Sequence, residues 1–299
     1  MADFTLQGVI PPVITPFKEN GDVDLESYRE NIQKWNEDNL SGYLALGSNS
    51  ETIYLTEDEK LALIKETVEH AKPGRTVLAG TGMESTRETI ALTNKAAKIG
   101  AHAALILTPF YYGKAMSDEA LAAYFTEVAD QSEIPILVYN VPKFTHINVS
   151  VSLLKRLSSH PNIIGMKDSS GNVPQLATFK RELPEDFTIM VGTASALFPA
   201  LALGIDTAIM ALANSHPNEC TRIITLFKEG RVEEARDLYQ AVFPINTAVT
   251  DTYGIAGLKH TTTLQGYKGG YVRRPLLDST KQQKQEIEDL LKKQSLPVH

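Results

Sequence analysis

Residues 162–172 read NIIGMKDSSGN, an apolar run that acquires a lysine, Lys167, at its end and then breaks into small polar residues. The β-branched start and the Ser-Ser-Gly-Asn finish are those of a buried strand running into a loop. An ammonium at the end of such a strand has to be paired, hydrated or used, so its neighbours decide both the fold and the chemistry. Seven further runs of this kind surround it: GVIPPVITPF from Gly8, GYLALGS from Gly42, TVLAGTG from Thr76, AALILTPF from Ala103, PILVYNV from Pro135, TIMVGTA from Thr188 and TAIMALAN from Thr207. They recur at intervals of about twenty-five to thirty-five residues, which leaves room for one helix between consecutive parallel strands. The intervening stretches DLESYRENIQKWNE, TEDEKLALIKETVEHA and SDEALAAYFTEVADQ each open on a capping residue and repeat their apolar residues at helical spacing. Eight strands alternating with helices predict an α/β fold closed as a (β/α)8 TIM barrel. No glycine-rich fingerprint follows the first run, which argues against an open dinucleotide-binding sheet.

From about His216 the chain reads almost wholly helical, through NECTRIITLFKEGRVEEARDLYQAVF and STKQQKQEIEDLLKKQ. Residues 1–225 are expected to form the barrel and residues 226–299 a C-terminal helical extension of the same domain. The balance of 29 basic against 36 acidic residues gives a net charge of −7, which argues against nucleic acid or an anionic membrane as a partner. The single cysteine, Cys220, excludes an intrachain disulfide, fits a reducing compartment and reads as a buried bystander. The start MADFTLQGVI has no basic segment followed by a long apolar stretch, so a cytoplasmic protein is expected.

Barrel enzymes carry their chemistry at the C-terminal ends of the strands. Lys167 is at such an end, and the two-residue alternation of a strand places it on one face with Gly165 and Ile163, with Asp168 on the other. The fifth run ends VYNVP on the neighbouring strand, which makes Tyr139 the expected companion of Lys167. An amine that has lost its water is a nucleophile for a carbonyl carbon, so Lys167 points to a Schiff base, and a phenol such as Tyr139 can shuttle protons while the imine acts as an electron sink. The competing reading lets Lys167 reach solvent or pair with a loop carboxylate. In GSNSE, Gly47 to Glu51, backbone N–H groups and the side chains of Ser48 and Asn49 can hold a keto-acid carboxylate, or the loop caps the next helix. Tyr111 and Tyr112 in TPFYYGK read first as packing or interface residues and only second as proton relays. Metal chemistry would need clustered ligands at the rim. His70 falls late in a helix, His102 and His160 precede strands, and only His146 and His216 approach the active side. The GTASA loop lacks a basic neighbour for a pyridoxal phosphate group. Neither metal nor cofactor is therefore expected, and the charged EIEDLLKKQ helix reads as a solvated face.

GSNSE, TPFYY, YNVP and GMKDSSGN occur in this order at the ends of runs two, four, five and six, followed by YGIAGLK and GGYVRRPL. With these motifs the chain resembles, over nearly its whole length, the dihydrodipicolinate synthase/N-acetylneuraminate lyase family of pyruvate-dependent class I aldolases. The resemblance implies that Lys167 is the Schiff-base lysine and that Tyr139 is a proton relay in contact with bound pyruvate. It implies that Ser48 and Asn49 bind the carboxylate and that the backbone carbonyl of Ile209 lines the site. It also implies that Tyr111 crosses a tight dimer interface to complete a relay with Tyr139 and Ser48, in a homotetramer built as a dimer of dimers. Asn49 stands where many members have threonine, and Ser50 where glycine is usual. Lys143-Phe144-Thr145-His146 stands in place of Ser-Arg-Thr-Gly, which puts an apolar ring where an arginine would grip the second substrate's carboxylate. The Ser-Asn pair, LAGTGMEST and AVTDTYGIAGLK look most like the 4-hydroxy-2-oxoglutarate aldolase branch. The expected activity is then reversible cleavage of a 4-hydroxy-2-oxo acid to pyruvate and an aldehyde such as glyoxylate. The alternatives are a 4-hydroxy-tetrahydrodipicolinate (dihydrodipicolinate) synthase, a 2-keto-3-deoxy sugar-acid aldolase and, from a different class, a noncatalytic barrel that binds a keto acid.

Overall fold

The computed structural model describes residues 6–294. Eight parallel strands follow one another around the sheet: β1 (Gly8–Ile10), β2 (Gly42–Ala45), β3 (Thr76–Gly80), β4 (Ala103–Leu107), β5 (Ile136–Asn140), β6 (Ile163–Asp168), β7 (Thr188–Val191) and β8 (Thr207–Ile209). The order β1-β8-β7-β6-β5-β4-β3-β2 closes on itself as the predicted barrel, because Ser41 N–H donates to Val9 O and Leu44 N–H to Pro11 O. The first run is far shorter as a strand than its apolar length suggests. Pro11 and Pro12 have no N–H to give, so beyond Ile10 the segment accepts from β2 at Pro11 O and donates to it from Val13 N–H without extending a regular ladder.

Adjacent residues of each strand go to different cores. Ile10, Leu44, Leu78, Leu105, Leu137, Met190 and Ile209 fill the barrel interior, while Val9, Tyr43, Ala79, Ile106, Val138, Val191 and Ala208 pack outward against the helices. Strand β6 breaks this rule at its start. Its register against β5 shifts between Ile136 and Leu137, so Ile163 joins the outer core and Ile164 packs on the inner one. The expected companionship of Ile163 with Lys167 is therefore wrong, and only Gly165 keeps it; an irregularity of one residue flips a side chain to the other face.

Between the strands lie α1 (Leu25–Trp35), α2 (Glu57–His70), α3 (Thr86–Ile99), α4 (Asp118–Gln131), α5 (Pro142–Thr145), α6 (Val151–Leu157), α7 (Val173–Glu182) and α8 (Leu197–Ala202). Their starts are fixed by side-chain caps such as Asp24, Ser85 and Ser117, and by the reciprocal Thr56–Glu59 capping box of α2. After β8 come α9 (Pro217–Lys228), α10 (Val232–Thr247), a five-residue π turn (Ala248–Thr252), α11 (Gly254–Leu264) and α12 (Lys281–Lys293). Cys220 of α9 is fully buried, and that burial pushes its thiol far above the ordinary range. Helix α12 buries Ile287 and Leu291 and leaves its charged face outward. The segment between α11 and α12 returns to the start of the barrel, where Tyr271 N–H donates to Phe17 O at 2.9 Å. Gly270 makes that return possible: its φ is 66°, and a Cβ there would lie 2.8 Å from Phe17 N.

Candidate active site

Tyr139 and Lys167 are register partners across β5 and β6, and both are nearly buried, at 6% and 3% exposure. The Lys167 Nζ lies 4.3 Å from the centroid of the Tyr139 ring. The third member comes from the loop after β2, where Ser48 Oγ is 3.4 Å from Tyr139 Oη. Burial pushes the Tyr139 phenol up, but the Lys167 charge and hydrogen bonds with Ser48, Ser169 and Lys167 outweigh it and hold the phenol below its ordinary range. A phenol that ionises readily beside an amine can exchange a proton with it, which is what carbinolamine formation and dehydration require.

These residues line one cavity of about 600 Å³ at the C-terminal end of the barrel, together with Asn49, Ser169, Thr193 and Ser195. That volume suits a small oxo acid with a second small reactant. The strand ends around it are locked from below. Asn140 Nδ2 donates to Asp168 Oδ1 at 2.6 Å on the outward face, where burial raises the Asp168 carboxyl despite hydrogen bonds with Ser170 and Asn140. At the end of β7, Gly192 comes so close to β6 that a Cβ would meet Ser169 Oγ at 1.9 Å.

The loops at the rim hold unusual backbone. All three non-glycine residues with left-handed φ among the described residues, Leu46 (62°), Glu51 (55°) and His146 (56°), lie after β2 or β5, on either side of the cavity. Such conformations persist only where the surroundings hold them. Ser50 is held by its Oγ donating to Val13 O at 2.5 Å and by its own carbonyl accepting from Thr15 Oγ1 at 2.8 Å. At the cavity mouth, Lys143 Nζ donates to Thr250 O at 2.8 Å and to Asp251 Oδ1 at 2.7 Å, and the half-exposed Phe144 ring stands beside them. The π turn that supplies Thr250 and Asp251 is of a kind concentrated at functional sites.

Of the residues singled out in the sequence, Lys167, Tyr139, Ser48 and Asn49 come together. Ile209 ends β8 with its side chain in the inner core, and Ala211 just beyond it lines the cavity. Tyr111 is 76% exposed on the loop after β4, edge-on to Tyr112 and outside the cavity within one chain. His146 is exposed at the end of α5, whereas His216 is buried against Ser215, so these two do not form a pair. Among the described residues no three His, Cys, Asp or Glu side chains gather as a metal-binding set, and no helix is long and apolar enough to cross a membrane.

Sequence reading missed a buried ion pair behind the site. Glu51, the last residue of GSNSE, meets Lys259 Nζ at 2.5 Å, with the two side chains 0% and 2% exposed. Glu51 closes GSNSE and Lys259 closes YGIAGLK, and the one sequence signal of the pair is a carboxylate ending a loop that has no other acid.

The profile of the Dihydrodipicolinate synthetase family matches residues 5–294. A 4-hydroxy-tetrahydrodipicolinate synthase of Archaeoglobus fulgidus is 34% identical over 287 residues, covering 96% of this chain and 97% of that one. Among solved structures, a dihydrodipicolinate synthase of Bacillus anthracis superposes with a TM-score of 0.93 at 26% identity, over 98% of this chain and 99% of its own. A chloride-inhibited dihydrodipicolinate synthase of Acinetobacter baumannii, complexed with pyruvate, gives 0.92 at 28% identity over 98% and 100%.

Proposed function

We propose that this chain, which belongs to the dihydrodipicolinate synthetase family and so to the pyruvate-dependent class I aldolases, works through an imine between Lys167 and the C2 carbonyl of a 2-oxo acid. The observation that carries this reading is the buried, register-paired Lys167 and Tyr139 on the wall of the cavity. The Lys167 amine adds to C2, and water leaves from the carbinolamine as Tyr139 passes the protons. The resulting iminium draws electrons from C3. In the cleaving direction the C4 hydroxyl gives its proton to Tyr139, the C3–C4 bond breaks, and an aldehyde leaves an enamine behind. Protonation at C3 and hydrolysis of the imine release pyruvate and restore the amine; the condensing direction runs the same steps in reverse. Ser48 and Asn49 hold the oxo-acid carboxylate, and Ile209 contributes its backbone carbonyl.

For the second reactant, the shared name of the curated relatives favours a 4-hydroxy-tetrahydrodipicolinate synthase, and aspartate semialdehyde is the partner to assay with pyruvate in that reading. A second reading, cleavage of 4-hydroxy-2-oxoglutarate to pyruvate and glyoxylate, is favoured by one observation: Phe144 offers no bidentate donor to a carboxylate held two carbons away from the reacting aldehyde, as in aspartate semialdehyde, whereas glyoxylate bears its carboxylate on the aldehyde carbon itself, and the adjacent Lys143 is engaged by Asp251 and Thr250. The exposed Tyr111 and Tyr112 support assembly of a tight dimer in which Tyr111 of one copy completes the relay of the other, and the family resemblance extends this to a dimer of dimers.

Borohydride added with pyruvate should reduce the imine and leave a carboxyethyl adduct on Lys167, absent from Lys167→Ala. An unmodified wild-type protein would overturn the proposal. Pyruvate consumption with aspartate semialdehyde, compared with pyruvate release from 4-hydroxy-2-oxoglutarate and from 2-keto-3-deoxy sugar acids, assigns the second reactant. An adduct without turnover on any of them would mark a barrel that only binds keto acids.

A further inference from the structure

We infer that Lys259 is a positioning residue for the oxo-acid carboxylate site: through its buried ion pair with Glu51 it fixes the turn that carries Ser48 and Asn49. The inference rests on the reading of that turn as the carboxylate cradle.

The turn is short and strained. Ser48–Ser50 make a single 3₁₀ turn, which ends at Glu51 with left-handed backbone, a conformation costing a non-glycine residue on the order of 1 kcal/mol or more. Nothing in the local sequence favours that conformation. Beside the contacts of Ser50 with Val13 and Thr15, it is held at Glu51 from the other end of the chain. Glu51 receives Lys259 Nζ from α11 at 2.5 Å and the Arg273 N–H at 2.8 Å. Lys259 is in turn tied to Tyr271 O at 2.5 Å and lies over the Phe17 ring at 4.6 Å, with the Arg273 guanidinium 4.4 Å from the same ring. Arg273 is itself clamped, by a two-pronged contact at 2.6 Å with Glu59 of α2 and by Gly21 O and Tyr54 O.

A pair this deep is a poor device for stability, because desolvating two charges offsets most of their attraction. Burial pulls the Lys259 ammonium down to about 8 in spite of Glu51 and Asp278. What the pair does supply is direction. The Glu51 carboxylate meets Lys259 through Oε1 and the Arg273 N–H through Oε2, so both of its oxygens are engaged at the end of the turn that carries Ser48 and Asn49. The C-terminal helices thereby reach the substrate without touching it.

The test uses Lys259→Met combined with Glu51→Gln, which removes both charges, keeps the packing volume and leaves an acceptor for the Arg273 N–H. The expected result is a melting temperature close to wild type, full borohydride trapping at saturating pyruvate, and a KM for pyruvate raised at least tenfold. Lys259→Arg, which keeps the charge, should hold KM within about threefold. An unchanged KM in the double variant overturns the inference, as does a KM that rises only in proportion to unfolded protein. Failure of wild type to trap pyruvate would instead refute the Lys167 imine itself, so the two failures are distinct.

Discussion

Tyr139 and Lys167 face each other across one rung of the β5–β6 ladder, so the strand register itself sets the approach of the phenol to the amine. No loop has to close to bring them together. The hydroxyl of Tyr139 has Ser48 as its neighbour at 3.4 Å, while its ring belongs to the inner core. Tyr139→Phe therefore removes the proton carrier and keeps the packing. Its melting temperature should stay within a few degrees of wild type, while the turnover rate falls ~10²–10⁴-fold, the usual loss for an acid/base group. Steady-state rates on whichever substrate proves active decide it; near-normal turnover would take Tyr139 out of the mechanism.

The pH dependence of imine formation follows from the same pair. The Lys167 charge and the hydrogen bonds around Tyr139 hold its phenol below the ordinary range, against the opposing effect of burial. As pH rises through that lowered value the phenolate becomes available to take a proton from the neighbouring ammonium. As pH falls the phenol is protonated and that route is lost. Single-turnover trapping of pyruvate should therefore accelerate with rising pH on a limb whose midpoint is below 10, and this limb should vanish in Tyr139→Phe. A limb of the same midpoint in the variant would assign it to another group.

Phe144 offers a gain-of-function test of the second reactant. It is 53% exposed at the cavity mouth, so Phe144→Arg should cost little stability. If an amino-acid semialdehyde is the natural partner, a guanidinium here supplies a charge-assisted hydrogen bond to its carboxylate, about 1.5–3 kcal/mol, or roughly tenfold to a hundredfold in kcat/KM for that substrate. If cleavage of 4-hydroxy-2-oxoglutarate is the natural reaction, the wild type should already be the better catalyst on that acid. Rates of both proteins on both substrates separate the two.

Much of this site is legible in the chain because strand periodicity is local. The apolar runs, their spacing and their polar ends locate Lys167, Tyr139, Ser48 and Asn49 at the same rim, since Lys167 and Tyr139 are the penultimate residues of β6 and β5, and Ser48 and Asn49 open the turn that follows β2. What escapes is whatever depends on long-range geometry. The β6 irregularity that sends Ile163 outward leaves no mark in an unbroken run of apolar letters, because either face of that strand is buried. The closing of the barrel past Pro11 and Pro12 depends on the Pro11 carbonyl and the Val13 N–H, backbone groups that no side-chain pattern marks. Glu51 and Lys259 stand 208 positions apart, and neither residue type announces a partner.

That distant pair should also leave a mark on stability. Burial lowers Lys259 from 10.5 to about 8, more than Glu51 and Asp278 can offset, and Arg273 adds to the lowering. Between those values the unfolded chain holds a proton that the folded chain has released. The unfolding free energy must then rise with pH across this window. The cost of keeping Lys259 charged inside the fold is fully present below pH 8 and is gone above 10.5; that difference corresponds to about 3 kcal/mol. Urea unfolding of wild type and of the Lys259→Met, Glu51→Gln protein at pH 7.5 and pH 10 isolates it, because every titrating group outside the pair itself is common to both. Wild type should gain on the variant between the two pH values. Lys259→Met alone should be the least stable of the three at pH 7.5, since it strands Glu51 as a buried carboxylate whose remaining contact is the Arg273 N–H, a loss on the order of 3–5 kcal/mol for breaking a buried pair. Parallel pH curves for wild type and the double variant would mean that the ammonium of Lys259 is not held at a cost.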